Sequence, residues 1–233
     1  MPATDTNIQS HRTPGSDGSR GSDGTPSTTR PKSADDIADL YADVADSLHR
    51  WRWADRLVTG RYRERQFGAA SGCVLDVACG TGTNFPYLPV DVDLVGIDIS
   101  PEMLANAREA LDRLPLEGSL RRMDAQSLAF PADSFDTVVS ALSTCTFPDP
   151  IEALQEMERV CKPDGRILLL EHGRSEVGPL ARFQDWRAEA HYEKRGCRWD
   201  QEPVALVEQA GLPVVDEWTA LLGTVTGIET APR

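Results

Sequence analysis

Lysine is almost missing from this chain. Three residues (Lys32, Lys162, Lys194) stand against 21 arginines, and 37 acidic side chains leave a net charge of −13. Nucleic-acid backbones and anionic bilayers are gripped by basic stripes, so nucleic-acid binding and electrostatic docking to anionic lipid are not expected. An acidic surface nearly without lysine is similar to that of proteins from salt-adapted cells, where salt screens the self-repulsion. Long apolar runs are absent too. No stretch approaches the ~18 residues of a membrane span, and no apolar core of a secretory signal stands at the N-terminus, so no stable membrane insertion is expected. The five cysteines (Cys73, Cys79, Cys145, Cys161, Cys197) contain no C-x-x-C pair and have no histidine at zinc spacing. Neither a disulfide framework nor a metal site follows from that pattern, and a reducing cytoplasmic setting does.

What is present divides the chain in two. Residues 9–33 hold no apolar side chain, so residues 1–34 read as a disordered polar tail that cannot offset its ordering entropy. Residues 35–233 read as one domain. Up to residue 36 the tail has five acids and four bases, which leaves −12 on the domain. Ile37, Leu40, Tyr41, Val44, Leu48 and Trp51 recur at helical spacing and predict one amphipathic N-terminal helix. Short apolar strands are then expected at 73–77, 93–97, 118–123, 135–140 and 166–170. Helices between them carry good start signals: Ser100-Pro101-Glu102 before one, Asp149-Pro150 before the next, and a third over 203–210. Segments 214–221 and 224–230 follow each other with only a turn between, which predicts an antiparallel hairpin. The alternation implies an α/β fold: a mostly parallel sheet with helices on both faces.

The first strand runs directly into Asp76-Val77-Ala78-Cys79-Gly80-Thr81-Gly82-Thr83-Asn84. Glycines at 80 and 82 permit a tight bend and close approach of backbone to a ligand. A dinucleotide fingerprint requires a third glycine where Phe85 stands, which argues against a nicotinamide enzyme. The spelling D-x-A-x-G-x-G-T resembles the first motif of class I S-adenosylmethionine-dependent methyltransferases. Phe130-Pro131-Ala132-Asp133-Ser134-Phe135-Asp136 and Val160-Cys161-Lys162-Pro163-Asp164-Gly165-Arg166 resemble later signposts of that family in order and spacing. Cys161 and Asp164 depart from its usual spelling.

The resemblance implies a Rossmann-like fold with a seven-stranded sheet and S-adenosylmethionine as cofactor. It places the cofactor's amino-acid end on the loop of Asp76, Ala78, Gly80, Gly82 and Asn84. Asp98, 22 residues beyond Asp76, ends the second strand where a carboxylate can take both ribose hydroxyls. Ile99 and Met103 are placed about the adenine, and Asp124 and Ala125 at its amino group. Ser140, Leu142 and Cys145 are expected beside the methyl group, Cys145 as a thiol in the pocket wall. His172 is either a proton acceptor at the rim or a histidine bonded to a loop carbonyl. The segment 179–199, with Phe183, Trp186, Tyr192 and Trp199, reads as a lid over an apolar acceptor or as packing on the sheet, and Tyr41 as closing the pocket opposite. Glu171-His172-Gly173 and Arg195-Gly196-Cys197-Arg198-Trp199-Asp200 resemble the branch containing thiol, phosphatidylethanolamine and quinone methyltransferases. The implied partner is a small-molecule or lipid-like methyl acceptor. A cofactor-binding module without catalysis fits the same motifs.

Overall fold

A computed structural model of the protein describes residues 31–233; the expected disorder of residues 1–30 lies outside the described residues. Seven strands form one sheet in the order β3-β2-β1-β4-β5-β7-β6. They are β1 (Cys73–Val77), β2 (Asp93–Asp98), β3 (Gly118–Arg122), β4 (Phe135–Ala141), β5 (Cys161–His172), β6 (Val214–Ala220) and β7 (Val225–Thr230). Neighbours β1 to β5 pair in parallel, and β7 alone runs the other way, between β5 and β6. The expected fold class is therefore the observed one. Strand order reverses between β1 and β4, which in such sheets is where the crevice opens.

Among the described residues six α-helices cover the two faces: α1 (Ala34–Ala42), α2 (Ala45–Phe67), α3 (Pro101–Leu111), α4 (Pro150–Val160), α5 (Gly178–Arg195) and α6 (Pro203–Gln209). Their starts obey the local chemistry. Ser100 takes the Met103 amide at 3.2 Å ahead of Pro101, and the Asp149 carboxylate takes the Ile151 and Glu152 amides at 3.0 Å. The core is split by the sheet. On β5, Ile167 and Leu169 face the cluster under α4 and α6, while Leu168 and Leu170 face the cluster under α2 and α3. Successive residues of a strand point to opposite faces, so a sheet covered on both sides needs an unbroken apolar run.

Three expectations are corrected. The single N-terminal helix is two, parted at Asp43–Val44. That break resets the helical phase, and Trp51, placed inward by its spacing, is exposed. Ordered backbone begins within the expected tail: Ser33 caps α1 by taking the Asp36 amide at 3.2 Å, and the Asp36 carboxylate takes the Ser33 amide at 2.8 Å. β5 also starts five residues before Arg166, because a register shift lets Cys161 pair with Phe135. Among the described residues no helix is long and apolar enough to cross a membrane.

Candidate functional site

A cavity of about 320 Å³ opens at the carboxyl ends of β1, β2 and β4, closed on its far side by α1. That is the lower end of the range for small-molecule sites, and it stands at the strand-order reversal. Backbone strain marks its floor. Ala78 after β1 and Leu142 after β4 both hold φ of 55°, and both line the cavity. A non-glycine residue in this region costs about 1–2 kcal/mol, a cost that persists where surrounding contacts enforce it.

The loop after β1 is fixed from two sides. Cys79 donates its amide to the Ile97 carbonyl at 2.8 Å, and Gly80 donates to Asp98 Oδ2 at 2.9 Å. Asp98 Oδ1 takes the Ser100 amide at 2.9 Å. Burial pushes the Asp98 carboxyl up, opposed by these amides. A side chain built on Gly80 would meet no protein atom within 4 Å, so the space before it belongs to the cavity. Gly82 is glycine for another reason. A Cβ there would stand 2.6 and 2.7 Å from the Phe85 ring, and Gly82 is not on the cavity wall. The expectation that Gly82 clears space for a ligand is corrected to one of core packing.

Ile99, Met103, Asp124 and Ala125 line the wall beyond Asp98. Asp124 also turns its own loop, taking the Gln126 amide at 3.0 Å. Asn84 lines the opposite wall and donates Nδ2 to Asp76 Oδ1 at 2.9 Å. Asp76 itself lies behind the wall. It is fully buried, its Oδ2 has no hydrogen-bond partner, and burial raises its pKa to about 7. Ser140 is likewise behind the wall, donating to the Val77 carbonyl at 2.9 Å, and is corrected from a cofactor contact to a strand tie.

Sequence reasoning missed Arg63. It reaches from α2 to the cavity, only 4% exposed, donates to Asn84 Oδ1, and lies 3.5 Å from Asp55. One arginine among six in α2 (with Arg50, Arg52, Arg56, Arg61 and Arg65) carries no distinguishing pattern, so no local signal singles it out.

The acceptor-side expectations divide. Tyr41 and Leu142 line the cavity, with Ile37, Phe147 and Pro148. Burial foremost pushes the Tyr41 phenol well above its ordinary range, so it stays neutral. Trp186 does not line it. It stands 74% exposed on α5 against Phe183, so the lid reading is corrected: these rings face solvent. Cys145 and His172 are also not on the wall. His172 Nε2 lies 3.2 Å from Cys145 Sγ and 3.3 Å from Cys197 Sγ, which corrects both the rim base and the pocket-wall thiol. Beside them Glu171, fully buried, accepts the Ser143 and Thr144 amides at 3.1 and 3.3 Å, and burial raises its pKa to about 7.

Residues 75–169 match the family model described as a methyltransferase domain. The chain is 41% identical over 127 residues to a phosphatidylethanolamine N-methyltransferase of Cereibacter sphaeroides, covering 54% of this chain and 62% of the relative. It is 34% identical over 161 residues to a ubiquinone/menaquinone biosynthesis C-methyltransferase of Pseudoalteromonas translucida, covering 64% of each. The chain thus spans less than two thirds of either relative. Among solved structures, a [4+2]-cyclase, SpnF, superposes with a TM-score of 0.70 at 18% identity, over 86% of this chain and 96% of that one. That likeness shows the fold alone, and one fold hosts more than one chemistry.

Proposed function

We propose that this chain, whose residues 75–169 match a methyltransferase domain, is a class I S-adenosylmethionine-dependent methyltransferase that transfers the cofactor's methyl group to a small apolar or lipid-like acceptor. One observation carries the reading: the Gly80 amide is locked onto the Asp98 carboxylate in front of open space on the cavity wall.

The residues fit the cofactor. Asp98, already oriented by two backbone amides, offers its remaining lone pairs to the ribose hydroxyls. Ile99 and Met103 flank the adenine, and Asp124 accepts from its amino group. Arg63 is a buried cation for the carboxylate of the amino-acid end, and Asp76, behind the wall, acts on the site only by holding Asn84.

The bound cofactor supplies a methyl group already activated by its sulfonium. What remains for the chain is to exclude water and hold the nucleophile in line, and alignment alone is worth about 7–11 kcal/mol. On the acceptor side, Ile37, Leu142, Phe147 and Pro148 are apolar, and Tyr41 is a neutral hydroxyl. Among the described residues lining that side, no side chain takes a proton near neutral pH. The acceptor therefore brings a nucleophile that needs no enzyme base, and an apolar body that fits this wall. The acidic surface adds attraction for an amine-bearing acceptor and repels anionic lipid and nucleic acid. Relatives named for phosphatidylethanolamine and quinone methylation support the same acceptor class.

The test is mass spectrometry after incubation with S-adenosylmethionine and a panel of amine lipids, thiols and quinone precursors. A product heavier by one methylene, formed more slowly with Asp98→Ala at sub-saturating S-adenosylmethionine, supports the reading. Tight cofactor binding with no product from any acceptor would make the chain a binding module instead.

A further inference from the structure

Three sequence-distant residues meet behind the acceptor wall. Cys145 lies in the 3-10 turn after β4 (Thr144–Thr146), His172 ends β5, and Cys197 follows the C-terminus of α5. Their donor atoms, two sulfurs and His172 Nε2, all lie within 4.8 Å of one another. The nitrogen stands 3.2 and 3.3 Å from the two sulfurs. Ligands sharing one tetrahedral zinc ion, at about 2.3 Å for sulfur and 2.0–2.1 Å for nitrogen, are separated by roughly 3.5 Å. The observed spacing is within a few tenths of an ångström of that.

We infer that Cys145, His172 and Cys197 bind one soft divalent metal ion of the zinc type, with the fourth coordination position left to a non-protein ligand. Sulfur and imidazole donors without carboxylates select such ions over magnesium or calcium. Charge supports it as well. On binding, the two thiols give up their protons to solvent while the imidazole donates a neutral lone pair, so a dication with two thiolates makes an uncharged buried centre. An unbalanced ion there would be costly, since Cys145 is 2% and Cys197 7% exposed.

The surroundings hold the ligands in place. Arg198 donates its amide to the Cys145 carbonyl at 2.9 Å, joining the Cys197 segment to the Cys145 turn. The Glu171 carboxylate fixes the Ser143 and Thr144 amides that precede Cys145. Gln201 donates to Thr144 Oγ1 at 2.9 Å and to the His172 carbonyl at 3.4 Å. The His191 ring is stacked on Trp199, with centroids 4.2 Å apart. Such outer contacts orient ligands in metal sites. Residues 142 and 143, just before the Cys145 turn, line the cavity, so the site adjoins the acceptor wall. The inference does not depend on the proposed methyl transfer.

The experiment uses the full chain, reduced and stripped with a chelator, then titrated with zinc alone against a chromophoric competitor and separately with cobalt. One equivalent of zinc, with a thiolate-to-cobalt charge-transfer band, is expected. The Cys145→Ser/Cys197→Ser double variant and His172→Gln should each weaken zinc by more than ~100-fold, beyond the usual loss from an outer contact alone. Cys161→Ser, which removes a buried thiol outside the cluster, should keep both the stoichiometry and the band. Circular dichroism shows that each variant is folded. Zinc uptake no greater in the wild type than in the double variant overturns the assignment. So does loss of uptake in Cys161→Ser, or a Cys145–Cys197 disulfide that forms under mild oxidant in a protein that takes up no metal after reduction.

Discussion

Asp98 holds Gly80: the carboxylate at the end of β2 accepts the amide of the loop after β1 at 2.9 Å, and its other oxygen accepts the Ser100 amide at the same distance. One side chain thereby fixes the bend of the loop, caps the approach to α3 and faces the cavity.

Asp98→Ala is therefore expected to weaken S-adenosylmethionine binding by about 1.5–3 kcal/mol, the worth of hydrogen bonds to a charged group. Calorimetry on a variant whose thermal melt remains cooperative checks this. Unchanged affinity would remove Asp98 from the ribose site.

The two loop glycines should fail differently. The Cβ of Gly80→Val meets no protein atom within 4 Å and enters cavity space, so the variant should abolish cofactor binding while the fold survives at a cost of about 1–2 kcal/mol from its φ of +55°. Gly82→Ala drives a methyl group into the Phe85 ring at 2.6 Å, so its main loss should be stability, about 1–3 kcal/mol. Paired chemical denaturation and binding measurements on the two variants separate these effects. Equal loss of stability in both would contradict the division of roles.

Arg63 offers a prediction that distinguishes the ends of the cofactor. Arg63→Met should weaken S-adenosylmethionine by about 1.5–3 kcal/mol and leave methylthioadenosine, which lacks the amino-acid end, almost unaffected. Equal weakening of the two ligands would place Arg63 elsewhere.

Asp76 sets a pH dependence. Burial raises its folded pKa from an ordinary 3.8 to about 7. A carboxyl raised on folding gives stability that is full below pH ~4 and is lost as pH rises through ~7. Urea unfolding should show the native state weakening over that window. Asp76→Asn, which keeps an acceptor for Asn84, should make the slope shallower, with Glu171 accounting for part of the remainder because its pKa is also raised to about 7. An unchanged slope would show that Asp76 stays ionised in the fold.

Much of this molecule is written locally in its sequence, and the exceptions share a cause. β1 and β2 are short apolar runs between turn residues, and Ser100-Pro101 and Asp149-Pro150 announce their helices by short-range bonds. The bend at Gly80 and the acid at Asp98 lie where strand ends put them. Misreadings arise where a neighbour distant in sequence decides. Trp186 has the spacing of a packed ring, yet among the described residues it is left 74% exposed, against only Phe183 and Arg187 of its own helix. Arg63 acquires its place only once α2 crosses the loop after β1. Cys145 and Cys197 meet His172 across 27 and 25 residues, a separation no short metal-ligand motif spans.

Crystals soaked with S-adenosylhomocysteine test the central claim most directly. The account predicts density beside Gly80, with the ribose on Asp98, the adenine by Asp124 and the carboxylate on Arg63. A well-occupied ligand anywhere else, with the space before Gly80 filled only by solvent, would contradict it.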